Sequence, residues 1–398
     1  MSVSFSRFLK IIYSYCFLFD FIICYAIYAA FFTLSGIGIL DIGLLLAFWS
    51  GSAIILEVFS GALSDWLDRS WLLIAAPLLK IGTFICWALA DGNFWVFGFG
   101  FLFWSAGQSL YSGTLEALLY ERAAHEGKED DYDEYYGKAN AAEKLGTAAG
   151  VLLGGFVAAW SVHALDGMVV TFWLSIPPLL VASFIAIGLT DIRHETEDSE
   201  GLGYWQNIGE AFAEFKRLPE LRFITLYIAV GLILFEELEE FYTIYYVVVD
   251  LPLWLFGVVG AVGIGIAAIF SAYAHRLNGH QALGWALPAL GGVLFIISSF
   301  ANHAAYVIVL ELAYLVAIPA AILSEARFQQ VIEGQSRATT TSILYLIQNV
   351  MALSVAFLFG WLAQQLDLLS AFGWAGVVLL FVSAWMWWMI KDGHKPFS

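Results

Sequence analysis

Residues 11–34 read IIYSYCFLFDFIICYAIYAAFFTL, an apolar run interrupted by one carboxylate, Asp20. A helix crosses the hydrocarbon core of a bilayer with about 20 apolar residues. This run is too long for the core of a signal peptide, and no small-residue cleavage site closes it, so it is expected to be a retained first span. Asp20 falls close to its middle. A charge there costs a few kcal/mol, so ionisable groups inside spans usually mark a pathway or a relay.

The rest of the chain agrees with that first span. Of 398 residues, 61% are hydrophobic and 13% charged, whereas a soluble domain carries about 25% charged residues. The net charge of −17 argues against a nucleic-acid partner. Cys16, Cys24 and Cys86 all lie in apolar runs without CxxC spacing, so they read as packing residues, and no metal or cofactor site is expected.

Further apolar runs follow at about 42–64, 71–90, 94–119, 138–160, 168–189, 221–248, 253–274, 283–300, 304–326, 338–362 and 370–390. The chain is therefore expected to be an all-α membrane protein of twelve transmembrane helices. The connections after odd-numbered spans contain no Lys or Arg, while the termini and the other connections hold Arg7, Lys10, Arg69, Arg122, Lys128, Arg193, Lys216, Arg276, Arg327 and Lys391, among others. That bias places both termini in the cytoplasm. The longest connection divides the chain into an N-terminal six-helix bundle (1–190), a cytoplasmic linker (191–220) and a C-terminal six-helix bundle (221–398). Trp205, Ile208, Phe212 and Phe215 recur in the linker at the spacing of a surface amphipathic helix.

The halves resemble each other at an offset of about 210 residues. Phe59-Ser60 matches Phe270-Ser271, and Leu115-Glu116-Ala117 matches Ser324-Glu325-Ala326. Parallel repeats of six spans imply two bundles rocking about a central site. Between spans two and three, Gly61-Ala-Leu-Ser-Asp65-Trp-Leu-Asp68-Arg69 resembles the signature of the major facilitator superfamily, with Trp66 at a usually basic position and Asp68 at a usual glycine. The resemblance extends over nearly the whole chain. It implies the major facilitator fold and a conformational latch at Gly61, Asp65 and Arg69, to which Glu57 and Glu325 are added as candidates. A tight helix end is expected at Gly61.

Gly137, Gly146, Gly150, Gly154 and Gly155 in span five match the glycine spacing of the superfamily's antiporters, with Val151 in place of proline. Such a stripe lets one helix backbone lie against another, and Gly257, Gly260 and Gly263 of span eight are the expected facing surface. Ordinary small-residue packing is the competing explanation. The arginine of proton-coupled members is absent from span four, where Phe103 and Trp104 stand.

Carboxylates outnumber amines inside the spans. Asp20, Glu57, Glu116, Glu143, Glu311, Glu325 and the span-seven group Glu236, Glu237, Glu239 and Glu240 face only Lys80 and Lys144. An acid-lined cavity repels anions and suits a proton, an organic cation or, as the weakest of the three, a metal ion. Asp20 is the expected coupling carboxylate, with Lys80 as a partner for an acid such as Asp20 or Glu57. The four span-seven glutamates crowd one another, so some are expected to hold protons. Glu116, Glu311, Gln108, Tyr111 and Tyr245 complete the candidate substrate and proton site. No HExxH, GxSxG or Ser–His pairing occurs, and an enzyme is not expected. The expected protein is a monomeric, proton-coupled exporter of cationic or amphiphilic small molecules in a bacterial inner membrane. A metabolite or siderophore carrier of the same fold, running as a proton symporter, is the alternative.

Overall fold

The computed structural model describes residues 4–189, 213, 215–277, 279–332 and 337–393, and among them every regular element is helical. Span one consists of Phe5–Phe19 and Tyr28–Leu34, and span two is Ile39–Trp66. Spans three to six are Arg69–Ala88, Phe94–His125, Tyr132–Ala158 and Ala164–Ala186. Span seven is pieced together from Pro219–Leu226, a π-helical turn at Tyr227–Leu232, Ile233–Glu239 and Tyr242–Val248. Spans eight and nine are Leu253–Tyr273 and Leu283–Ser298. Span ten is Tyr306–Leu315 with Ile318–Val331, and Arg337–Gln365 and Leu368–Lys391 complete the set.

Packing divides the chain into two units. One comprises Met1–Ile37, Phe48–Glu197 and Pro252–Ile264; the other comprises Gly38–Ala47, Asp198–Leu251 and Gly265–Ser398. Trp205, Ile208 and Phe212 lie outside the described residues.

Each unit ties its first span to its third through a proline. Pro77 has no N–H, so the carbonyl four residues before it, on Leu73, loses its helical donor. The Tyr15 hydroxyl of span one donates to that carbonyl at 2.7 Å. In the other unit Pro288 frees the Gly284 carbonyl, and the Tyr227 hydroxyl of span seven donates to it at 2.9 Å. Both tyrosines are fully buried. The two locks are about 210 residues apart in sequence, the offset of the repeat.

Span one departs from the continuous helix expected over 11–34. Its helix stops at Phe19, and regular structure resumes only at Tyr28. No glycine or proline lies in residues 20–27, so local propensity does not make the break. Partners elsewhere in the first unit do. The Ser175 hydroxyl of span six accepts from the amides of Ile23 at 3.0 Å and Cys24 at 3.3 Å, while donating to the Thr171 carbonyl at 2.8 Å. Non-helical backbone at membrane depth persists where protein groups satisfy it.

The span-five glycines supply the other side of the break. A Cβ at Gly150 would lie 2.6 Å from the Ile22 carbonyl oxygen, and Gly146 and Gly154 meet the carbonyls of Phe17 and Ile23. These three glycines therefore pack on span one, a correction to the expected span-eight surface. Only Gly155 faces span eight in that way, its Cβ position 2.6 Å from the Gly257 amide, while Gly260 packs on the Val151 side chain. The stripe serves an unwound partner that needs carbonyl-level approach.

Span two also differs from expectation. Its helix continues through Gly61 to Trp66 instead of ending at the glycine. The turn comes later, where the Asp68 carboxylate accepts from the Ser70 amide at 2.8 Å and caps span three. That cap accounts for an acid at the position where the family signature has glycine.

Candidate functional site

The break in span one lies buried beside Asp20, which joins a cluster of four spans. Lys80 of span three donates to Asp20 Oδ1 at 3.2 Å, and the Tyr25 hydroxyl donates to the same oxygen at 3.0 Å. Thr147 of span five donates to Asp20 Oδ2 at 3.0 Å. The Lys80 side chain is completely buried, with its ammonium 4.1 Å from the Phe19 ring centre and 5.1 Å from that of Trp104. Those ring faces add a cation–π attraction to the ion pair.

A second carboxylate stands one turn before Thr147. Glu143 Oε2 accepts from the Tyr111 hydroxyl of span four at 2.6 Å, and that hydroxyl also lies 3.7 Å from Cys16 Sγ. Tyr111 stacks on Phe19 with ring centres 4.1 Å apart, which fixes the phenol between the two halves of the cluster. Asp20, Lys80 and Tyr111 were among the site candidates read from sequence, whereas Glu143, named there only as an intramembrane acid, Thr147 and Tyr25 were not assigned to the site. The signal for the last three was available in principle: Glu143 and Thr147 share a face with Gly146 and Gly150, the face that packs on span one.

The second unit holds a cavity of about 260 Å³ walled by Phe235, Glu236, Ser271, Tyr314, Ile318 and Glu325, among others. Among the described residues of its wall there is no Lys or Arg. Tyr314 hydrogen-bonds Glu239, and Tyr246 donates to Glu311. Glu237 Oε2 is buried with no hydrogen-bond partner among the described residues. At the repeat positions corresponding to Asp20 and Lys80 this unit has glycines, Gly231 and Gly291, and the Phe235 ring packs against Gly291. One unit thus centres on a charge pair, the other on acids beside an apolar wall.

The remaining candidates are placed as follows. Glu116 is exposed and accepts from the Tyr136 hydroxyl at 2.6 Å, and Gln108 is half-buried on the same helix. Tyr245 is fully buried and donates to the Ser298 carbonyl at 2.9 Å, so it belongs to the core and not to the cavity wall. Glu325 sits in that wall beside Glu236. Arg69 pairs with Glu121 of span four at 2.5 Å, and Glu57 is exposed. The side chain of Asp65 and the surroundings of Gly61 lie outside those described. Among the described residues no group of three or more His, Cys, Asp or Glu is arranged to hold a metal ion.

A profile of the Major Facilitator Superfamily matches residues 9–332. The chain belongs to this superfamily. Its fold agrees with solved superfamily structures at low sequence identity. The nucleoside transporter NupG superposes with a TM-score of 0.76 at 12% identity, covering 96% of this chain and 98% of that one. A bacterial homolog of the human lysosomal transporter Spinster, in an inward-facing and occupied conformation, gives 0.75 at 14%, covering 98% of each chain. The D-xylose-proton symporter gives 0.71 at 14%, covering 96% and 98%. No curated protein sequence matches. The twelve spans in two six-helix bundles are thus those of a major facilitator transporter.

Proposed function

We propose that this superfamily member is a proton-coupled exporter of cationic or amphiphilic small molecules, working by alternating access in a bacterial inner membrane with both termini cytoplasmic. The observation that carries the substrate class is the cavity walled by Glu236, Glu325 and Tyr314, with no amine among the described residues of the wall. Carboxylates in a low-dielectric wall repel anions and gain most from a cation or a proton. The aromatic and aliphatic remainder, Phe235, Ile318 and Leu232, suits the apolar body of an amphiphilic cation. The one-sided distribution of Lys and Arg supports the orientation. The charge cluster of the first unit supplies the proton branch of the cycle.

The test uses proteoliposomes with an imposed pH gradient and tetraphenylphosphonium or ethidium as the probe. Cation movement against its gradient, with protons moving the opposite way, is the expected result. Glu236→Gln with Glu325→Gln should abolish it while the protein still inserts. Movement of cation and protons in the same direction would replace export with symport. Indifference to both substitutions would remove the cavity from the transport path.

A further inference from the structure

We propose that Glu143 is the carboxylate that loads and releases the proton in the first unit, and that Asp20 is the fixed counter-ion of Lys80. This rests on the transporter reading above and names the proton site within it.

The two acids are provided for differently. Asp20 accepts from an ammonium and two hydroxyls, on Lys80, Tyr25 and Thr147. Lys80 has no exposure, and Asp20 is its only ion-pair partner within 4 Å among the described residues. A proton on Asp20 would leave that ammonium buried without a countercharge, and an uncompensated buried charge is among the most costly defects a protein interior can contain. Among the described residues Glu143 makes no ion pair within 4 Å, and its carboxylate accepts from the Tyr111 phenol.

Tyr111 is placed to serve both states of Glu143. With the acid ionised, the phenol donates to Oε2 across 2.6 Å. With the acid protonated, the carboxyl O–H donates across the same contact, and the phenol hydrogen turns toward Cys16 Sγ at 3.7 Å. Neither heavy atom has to move, because a hydroxyl both donates and accepts. The Thr147 hydroxyl lies between Asp20 Oδ2, at 3.0 Å, and the backbone carbonyl oxygen of Glu143, at 3.1 Å, and its single hydrogen serves one of them at a time. Span one faces Glu143 with Asp20, Tyr25 and Cys16, span four with Tyr111 and span three with Lys80. Lys144, the next residue on the same helix, is exposed.

The charge balance of the cluster follows. Two carboxylates and one ammonium carry a net single negative charge, and one proton makes the group neutral. That proton is the only change needed to pass between a charged and a neutral cluster at mid-span.

Infrared difference spectra of the purified full-length protein, recorded between mildly alkaline and mildly acidic buffer, test this without any substrate. The protonated-carboxyl band should lose one component in Glu143→Gln and keep it in Asp20→Asn. Tyr111→Phe should change the pH at which that component appears. The charge-neutral pair Asp20→Asn with Lys80→Met serves if Asp20→Asn alone does not fold, and it too should keep the component. Loss in either Asp20 variant with retention in Glu143→Gln would return the proton to Asp20. Identical spectra in all variants would place it elsewhere and overturn the assignment. Because no transport is measured, this outcome is independent of whether the exported molecule is a cation.

Discussion

The Tyr15 hydroxyl completes the backbone hydrogen bond that Pro77 removes, by donating to the Leu73 carbonyl at 2.7 Å. Tyr15→Phe then leaves a buried carbonyl without a donor, at a cost of about 1–3 kcal/mol. In a Pro77→Ala background the helix supplies its own N–H, so the same substitution should cost measurably less. Thermal unfolding of the four proteins of that cycle checks the coupling. Tyr227→Phe against Pro288→Ala should repeat it in the second unit.

Two amides of the span-one break share one hydroxyl as their partner. Ser175→Ala orphans the Ile23 and Cys24 amides together, so the expected loss is larger than for a single hydrogen bond, on the order of 2–3 kcal/mol. Hydrogen exchange at residues 20–27 should quicken well beyond exchange elsewhere in span one. Unchanged exchange there would show that Ser175 does not hold the break open.

The Lys80–Asp20 pair gives a sign test. Asp20→Asn strands the buried ammonium, and breaking a buried pair on one side costs about 3–5 kcal/mol. Adding Lys80→Met should recover much of that loss, because two neutral side chains need no countercharge. A double variant as unstable as Asp20→Asn alone would mean that the hydroxyls of Tyr25 and Thr147 carry the site, and the charge does not.

Two glycines of one helix should respond oppositely. Gly150→Ala pushes a methyl to 2.6 Å from the Ile22 carbonyl oxygen and 2.7 Å from its amide nitrogen, both backbone atoms that cannot swing away. It should lower stability by about 1–3 kcal/mol. Gly137→Ala meets nothing within 4 Å and lies in the same helix, so it should stabilise by about 0.5–1 kcal/mol.

Between spans eleven and twelve, Asp367 accepts from the Ser370 amide and hydroxyl at 2.8 Å and 2.7 Å, and these bonds hold its carboxyl below the usual range. A folded value below the unfolded one means that the contribution is complete above the unfolded value, about 3.9. It is lost as pH falls through the lower folded value. Asp367→Ala should therefore lower the melting temperature slightly at neutral pH, by an amount worth about 1 kcal/mol or less, and the difference from wild type should vanish in strong acid.

The all-helical membrane fold was legible because apolar length is a strong signal, and short matches such as Phe59-Ser60 with Phe270-Ser271 suggested the repeat. Asp20 and Lys80 stood out as lone charges in apolar runs. The break at 20–27 was not legible, since no residue within it disfavours a helix and its causes, Ser175 and Gly150, are remote in sequence. For the same reason the glycines were assigned to a partner with its own small residues, when their partner was bare backbone. Glu143 was seen as an intramembrane acid, but its pairing with Tyr111 depends on a contact 32 residues away that no periodicity records.

Ser175 is synthesised 152 residues after Ile23. The first hydrophobic segment therefore leaves the ribosome long before the side chain that holds its amides exists, and in lipid an unpartnered segment keeps its own hydrogen bonds as a continuous helix. Residues 20–27 unwind only when spans five and six arrive beside them. Assembly of the first bundle is thus a refolding of a span already inserted, and an N-terminal fragment ending before Ser175 should carry Asp20 on a straight helix.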